Sequence, residues 1–258
     1  MTDPTTTDLV KISEANGVME IVWNRPDKKN ALSNAMYRAA TAALARAVED
    51  KSIRVVLLAS EGDSFTSGND LADFAAASMG GEAPAAHGFI EAIIQFPKPI
   101  VAAVPGLAVG VGTTMLLHCD LVFVANDAKL TTPFVNLALV PEAASSMLMP
   151  ARIGHARSFA MFALGDGFTG EQAAQLGLAN AALPKEQVIP AAREAAKKLA
   201  LRPMGAVMAA KKLMRDGEKI LAQSRTESAI FGERLRSAEA MEAFTAFREK
   251  RAPDFSKL

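Results

Sequence analysis

The residues best placed to do chemistry offer mainly their backbone. Two glycine-bearing turns, Ser67-Gly68-Asn69-Asp70-Leu71 and the run from Pro105-Gly106 to Gly110-Val111-Gly112, each follow an apolar segment and enter a helical pattern. A strand-to-helix turn of this kind leaves N–H groups unpaired at a helix N-terminus, where the dipole favours negative charge. It can hold a phosphate, hold an oxyanion that develops during a reaction, or simply pack a strand closely against a helix. The spacing G-x-x-x-G-x-G over residues 106–112 is neither the dinucleotide fingerprint nor the P-loop, and Thr113-Thr114 follow where a P-loop needs Lys-Ser/Thr. Phosphate loses ground and the oxyanion gains. Two such turns could aim two backbone N–H groups at one oxygen.

Side-chain catalysis of the common kinds finds little support. The three histidines, His87, His118 and His155, stand far apart, and Gly62-Asp63-Ser64-Phe65-Thr66 fails the nucleophile-elbow pattern at its last position. No H-x-x-x-H or C-x-x-C spacing offers a zinc site, and no metal is expected. The one cysteine, Cys119, excludes an internal disulfide and reads as a buried packing thiol. With 28 basic and 28 acidic side chains, the 258-residue chain gives no electrostatic case for nucleic acid or an anionic membrane. Half the residues are hydrophobic, enough for a substantial core. The polar N-terminus does not resemble a secretory signal, and the composition suits a reducing compartment.

The elements that must position the turns alternate. Residues from Leu9 to Trp23 predict a hairpin about Asn16-Gly17. Ser33 can cap a helix running to about Asp50, with Met36, Ala40, Ala43, Leu44 and Val48 on one face. Val55 to Ala59 and Ile100 to Val104 read as buried strands, and Gly110 to His118 as a buried helix. Pro99 to Cys119 carries no charge and is long enough for a membrane span, but Pro99, Pro105, Gly106, Gly110 and Gly112 break any continuous helix. Residues 75–88 read as a mobile loop, and 89–96 as a helix. Leu121 to Ala125, Lys129 to Thr131 and Ala181 to Leu183 are further extended segments, and Thr169 can cap a helix stopped by Gly177. Beyond Pro184, segments 186–200, 204–215 and 218–247 are helical. Strands alternating with helices predict an α/β fold, with 1–200 as the core and 201–258 as a helical region.

These motifs, taken together, resemble the enoyl-CoA hydratase/isomerase (crotonase) superfamily. The resemblance rests on Asn24-Arg25-Pro26-Asp27-Lys28-Lys29-Asn30-Ala31-Leu32, on the two glycine turns, on Cys119-Asp120, and on Thr169-Gly170-Glu171-Gln172-Ala173 through Gly177-Leu178-Ala179. It implies a spiral of ββα units whose helical C-terminal region packs a homotrimer or a dimer of trimers. It implies an acyl-CoA thioester substrate, with coenzyme A part of that substrate and no separate cofactor. The thioester oxygen would lie between the backbone N–H groups of Asn69 and Val111. Lys28, Ala31, Ser67, Gly68, Asp70, Leu71 and Gly110 match the segments that hold CoA and substrate, and Lys250 would reach the CoA phosphates.

The same resemblance bears on the reaction. Hydratases of this family use two glutamates, and the matching positions here are Thr114 and Phe134. Activating water for addition calls for both carboxylates. Glu142, in Leu139-Val140-Pro141-Glu142-Ala143-Ala144-Ser145-Ser146, instead matches the single catalytic glutamate of peroxisomal-type 3,2-trans-enoyl-CoA isomerases, and the Ser256-Lys257-Leu258 end resembles that subgroup too. The expected activity is isomerisation of 3-enoyl-CoA to trans-2-enoyl-CoA in fatty acid β-oxidation. Hydration, another acyl-CoA lyase or hydrolase reaction, and non-catalytic acyl-CoA binding are the alternatives. Without the resemblance, Glu142 reads as an acid at a helix N-terminus. Localisation would be cytoplasmic in a bacterium and peroxisomal in a eukaryote.

Overall fold

The structure, a computed structural model, describes residues 7–70, 72–73 and 84–258. Strands β1 (Val10–Ala15) and β2 (Val18–Trp23) pair antiparallel about Asn16 and Gly17, both at positive φ, as an Asn-Gly hairpin turn requires. The Ser33 hydroxyl accepts the Met36 N–H at the start of helix Asn34–Glu49. Strand β3 (Val55–Ser60) is buried at every position, consistent with a parallel strand covered on both faces.

From β3 onward the chain alternates between two sheets. It moves from β3 to β4 (Ser64–Thr66), from β5 (Ile100–Val104) to β6 (Leu107–Val109), and from β7 (Leu121–Ala125) to β8 (Lys129–Thr131). The first strand of each pair joins a six-stranded sheet ordered β1-β2-β3-β5-β7-β10, where β10 is Ala181–Leu183. The second joins a four-stranded sheet ordered β4-β6-β8-β9, where β9 is Phe168–Thr169. Neighbours from β2 to β10 in the larger sheet are parallel, so each return crosses over through helical segments. This is the ββα spiral that the resemblance implies.

Between β9 and β10, helix Gly170–Gln175 begins with a capping box in which Thr169 and Gln172 satisfy each other's backbone donors. Helix Lys185–Ala200 lies on the larger sheet. The remaining long helices, Met204–Met214, Gly217–Leu235 and Ala238–Glu249, follow in order, and Gly217–Leu235 packs on helices Ala86–Gln95 and Ser145–Ile153. No described helix is long and apolar enough to cross a membrane.

Several expectations need correction. Strands β4, β6 and β9, of three, three and two residues, do not appear in the sequence reading, because so few residues cannot display a period of two. The helix expected over 110–118 is a single α-turn, Val111–Thr114, followed by a 3-10 turn, Met115–His118. Residues 86–88 belong to helix Ala86–Gln95 rather than to a loop, while 75–83 lie outside the described residues. The segment 218–247 is two helices, broken where Ser237 caps the second through the Ala240 N–H. Val48 is half exposed, and Ala47 takes its expected place in the core.

The step from β5 to β6 is tight because Gly106 lies against the main chain of the neighbouring β3–β4 connection. A Cβ on Gly106 would run into the Asp63 carbonyl oxygen. Gly106→Ala is expected to lower unfolding free energy by about 1–3 kcal/mol through overpacking. Gly232→Ala, mid-helix with open space around its Cβ, is expected to raise it by up to about 1 kcal/mol. Urea denaturation of the two variants checks both signs.

Candidate active site

The two glycine turns lie side by side because the strands that deliver them are neighbours. β4 and β6 pair in parallel, Ser64 with Leu107 and Thr66 with Ala108, so Gly68 comes against Val109. Gly68 has φ +92°, and a Cβ on it would stand 3.0 Å from the Val109 oxygen. Gly110 adopts φ 56°, ψ −118°, a glycine conformation that turns the chain directly into helix Val111–Thr114.

The signature loop 25–32 laces along the first turn. Ser67 N–H donates to Lys29 O (2.9 Å), the Ser67 hydroxyl to Lys28 O (3.3 Å), Leu32 N–H to Gly68 O (2.8 Å) and Asp70 N–H to Leu32 O (2.9 Å). Leu32 and Asn69 therefore form a parallel bridge, which uses the groups flanking Asn69 and leaves its own N–H pointing to the other side. Among the described residues, neither the Asn69 nor the Val111 backbone N–H donates to a protein acceptor. Such a pair has the parts for holding an oxyanion.

Lys28, Ala31, Ser67, Gly68, Asn69 and Asp70 are thus one connected group. The Asp70 carboxylate is engaged: it accepts from Arg25 (2.6 Å) and from Ala72 N–H (2.9 Å). Burial raises its proton affinity, but those donors outweigh burial and hold it below the usual aspartate value. Arg25 also donates to Ala31 O, so the ion pair ties the loop to the turn. Leu71 lies outside the described residues. Lys250 stands apart: it ends helix Ala238–Glu249 on an exposed surface and shares no hydrogen bond or ion pair with this group.

Glu142 reaches the second turn from a distant part of the chain. Its carboxylate accepts a hydrogen bond from the Thr114 hydroxyl, and Thr114 is in the single turn of helix that Gly110 opens. The same hydroxyl lies 3.5 Å from the Val111 oxygen, so Glu142 meets the helical turn that Val111 begins. Glu142 is buried, and burial pushes its carboxyl from the ordinary 4.5 up to about 7. The Thr114 hydrogen bond opposes that shift, and the nearby Glu227 charge adds to it. Near neutral pH such a group can both take and return a proton.

Among the described residues, the Glu142 side chain makes no capping hydrogen bond to the helix that follows it. Helix Ser145–Ile153 has no side-chain cap from its own segment, and the Ser146 N–H is taken by Glu227 (2.9 Å), which arrives from helix Gly217–Leu235. Phe134, at the position matching the hydratases' second glutamate, is buried; its ring edge would meet a Cβ on Gly110 at 3.8 Å and its centroid lies 6.1 Å from that of Phe162. The wall facing the Gly110 turn there is aromatic.

Three further residues join the site. Tyr37, on the buried face of helix Asn34–Glu49, donates its hydroxyl to the Asn69 side-chain oxygen. Burial raises its proton affinity and the Glu142 charge raises it further, so Tyr37 links the two halves of the site. The signal for it was its being the only tyrosine in the chain, one residue from a predicted core methionine. His118 is buried and held neutral, pushed down to about 3 by burial and by Arg215. Its Nε2 contacts the Ala143 oxygen (2.8 Å) and its Nδ1 pairs with Arg215. Glu227 is the third, and no local pattern marks it. Cys119 is inert, its thiol pushed up to about 12 by burial. Among the described residues, no cluster of His, Cys, Asp or Glu could hold a metal ion. A cavity of about 750 Å³ between Phe96, Met208, Leu213 and Leu221 contains none of the candidate residues. The hollow bounded by Leu32, Tyr37, Asn69 and Asp70 is only about 10 Å³.

Comparison with known proteins agrees with the fold. The family model for enoyl-CoA hydratase/isomerase matches residues 13–257. Enoyl-CoA delta isomerase 2 of Rattus norvegicus is 33% identical over 246 residues; the match covers 92% of this chain and 63% of that protein, so the chain spans under two thirds of its length. A probable enoyl-CoA hydratase of Rhodobacter capsulatus is also 33% identical, over 252 residues, with 96% of this chain and 97% of that protein covered. The crystal structure of an enoyl-CoA hydratase/isomerase from Pseudoalteromonas atlantica superposes with a TM-score of 0.91 at 39% identity, covering 96% of this chain and all of that one.

The burial of Glu142 has a consequence for stability. Its proton affinity is higher folded than unfolded, so the group costs nothing while both states are protonated, below about pH 4.5, and stability is lost as pH rises through about 7. Glu142→Gln is expected to gain ~3 kcal/mol on the wild type between pH 4 and pH 8. Chemical denaturation at the two pH values measures it; an equal difference at both would contradict a buried, proton-hungry Glu142.

Proposed function

Because the chain belongs to the enoyl-CoA hydratase/isomerase family, whose members process acyl-CoA substrates, we propose that it isomerises 3-enoyl-CoA to trans-2-enoyl-CoA, with Glu142 as the only base. The observation that carries this reading is the contact between Glu142 and Thr114. It pairs one buried carboxylate with a neutral hydroxyl at the position where hydratases have a glutamate.

In the proposed reaction the Glu142 carboxylate takes a proton from C2 of the acyl chain. The C–H electrons form the C1–C2 double bond of a dienolate, and negative charge develops on the thioester oxygen. The Asn69 and Val111 N–H groups stabilise that charge, each donor contributing about 3–4 kcal/mol by analogy with other oxyanion holes. Glu142 then returns its proton to C4, the double bond comes to rest between C2 and C3, and the carbonyl re-forms. Atoms balance without water or redox change. The dry, aromatic wall at Phe134 and Phe162 suits a base that must keep its proton between two carbons. Lys28, Ala31, Ser67, Gly68, Asp70, Leu71 and Gly110 hold the CoA end and the thioester in this reading, with Lys250 toward the phosphates.

Hydration is the second reading, favoured by the equal identity to the Rhodobacter capsulatus hydratase. The functional unit we propose is a homotrimer, with Leu213 and Met214, 89% and 82% exposed on the helical region, among the surfaces to be covered.

Supplied with 3-enoyl-CoA, the protein is expected to generate 2-enoyl-CoA absorbance, and Glu142→Gln to lose at least about a thousandfold in kcat, the scale of a removed general base. Val111→Ala keeps the backbone N–H and should change kcat only a fewfold. Water addition to 2-enoyl-CoA that outpaced isomerisation would favour the second reading. Sedimentation equilibrium should give three times 27.2 kDa.

A further inference from the structure

The turn that carries Glu142 is held in an uncommon shape. Ala143 and Ala144, the two residues after it, both have left-handed backbones, with φ 58° and 56°. A residue with a Cβ disfavours that region, and two in succession persist only where neighbours fix them. Two neighbours do so here. On one side His118 Nε2 meets Ala143 O at 2.8 Å, with Arg215 on the other ring nitrogen. On the other side the Glu227 carboxylate accepts from the Ser146 N–H (2.9 Å) and from the Ser146 hydroxyl; burial raises its proton affinity above the ordinary glutamate value, and these donors with the Ala144 amide oppose the rise. Gln223, one turn earlier on the same helix, donates to the Ser146 hydroxyl (2.9 Å).

Both Ser146 donors fall on one oxygen, Oε1. The other oxygen, Oε2, is buried and has no hydrogen-bond partner. An unpaired carboxylate oxygen in a closed interior is costly and calls for an explanation. Its field falls on Glu142, which feels Glu227 as its one charged neighbour.

We infer that Glu227 is a positioning residue for Glu142: it clamps the Ala143–Ala144 turn through main-chain N–H groups and sets a second buried negative charge behind the base. The clamp fixes where the Glu142 carboxylate points, and the charge makes that carboxylate hold its proton more tightly. The inference rests on the reading of Glu142 as the base. It assigns to the C-terminal helix Gly217–Leu235 a part in setting the site's proton affinity.

The surrounding charges leave this pair isolated. Arg225 on the same helix faces Glu91, and Arg234 faces Glu239 and Ala138 O. Across the turn, Arg215 is on His118 and Arg152 donates to Leu117 O (2.9 Å). Among the described residues, no cation bonds to Glu142 or Glu227. Tyr37 and His118 are also titratable near Glu142, and both stay neutral from pH 4 to pH 9.

The test is an infrared titration of the free protein from pH 4 to pH 9, following the protonated-carboxyl C=O band that disappears in Glu142→Gln. Glu227→Gln keeps the shape and one acceptor oxygen but loses the charge. It is expected to lower the Glu142 midpoint by about one pH unit, a tenfold loss of proton affinity. The acid limb of kcat/KM for 3-enoyl-CoA should move by the same amount. Glu227 ionises while Glu142 still holds its proton, so the shift falls on the Glu142 midpoint alone; Glu227→Asp, which keeps the charge, is the second variant and should leave that midpoint near its wild-type value, which keeps the inference testable if Glu227→Gln does not fold. An unmoved Glu142 midpoint in Glu227→Gln, or a fall of about one pH unit in Glu227→Asp, overturns it. The infrared midpoints need no turnover: a shift in a protein that does not isomerise would leave this inference standing while removing the isomerase reading.

Discussion

A carboxylic acid kept from water with a single hydroxyl for company is the constraint on which the site depends. Glu142 is buried, Thr114 is its hydrogen-bond donor, and no described cation offsets its charge. In such surroundings the ionised form is the expensive one, so the proton binds near neutrality rather than near pH 4.5. A surface glutamate at the same place in the chain would be a weak base and a stable anion. Burial therefore makes the side chain useful and also destabilises the native state at alkaline pH. Residues at functional sites commonly carry such a conflict between chemistry and stability.

The spiral is what brings the two glycine turns side by side. Each passage from the larger sheet to the smaller ends in a strand of three residues, β4 or β6, and the chain then turns into helix. Since β4 and β6 are parallel neighbours, their exits coincide, and both turns open on the same side. Glycine is needed at both exits for different reasons. At Gly68 a side chain would press on the Val109 carbonyl, and at Gly110 the backbone itself enters a region closed to other residues. The parallel bridge at Leu32–Asn69 then turns the Asn69 N–H away from the loop that would otherwise satisfy it.

What could be read in the sequence was what is encoded locally. The Asn16-Gly17 turn, the Ser33 and Thr169 caps and the buried strands at Val55 and Ile100 are each specified by a few adjacent residues, and each is present. The glycine turns are local too, and their positions emerged as a site feature before any fold was known. Strands β4, β6 and β9 were illegible because two or three residues carry no periodicity; they exist through pairing with partners far along the chain. Tyr37 and Glu227 were hidden for the same reason, since contacts at sequence separations of 32 and 81 residues put them at the site. Glu142 is intermediate. Its apolar surroundings were visible, yet an acid just before a helix ordinarily serves the helix dipole, and only the resemblance argued otherwise. The structure explains the exception: Glu227 takes the Ser146 N–H, which leaves Glu142 free to face Thr114.

That division of labour bears on the proposed use of a single carboxylate as base. Adding water requires a second group to hold the nucleophile, and a pair of acids facing one cavity serves that end. Here the second acid is behind the first, bonded to the helix start, and the two positions that could face the acyl chain are Thr114 and Phe134. A hydroxyl that already donates to Glu142 has no second proton for a water, and an aromatic ring has none at all. A water placed between Glu142 and Phe134 would have polar partners on one side only and an apolar ring on the other. The same arrangement is no handicap to moving a proton between two carbons, where water is a competitor for the base. Changing Thr114 to an acid would not by itself produce a hydratase site, because the new carboxylate would share the space with Glu142 and two like charges in contact bind a proton between them. The chemistry is thus set less by which acids are present than by which of them can see the substrate.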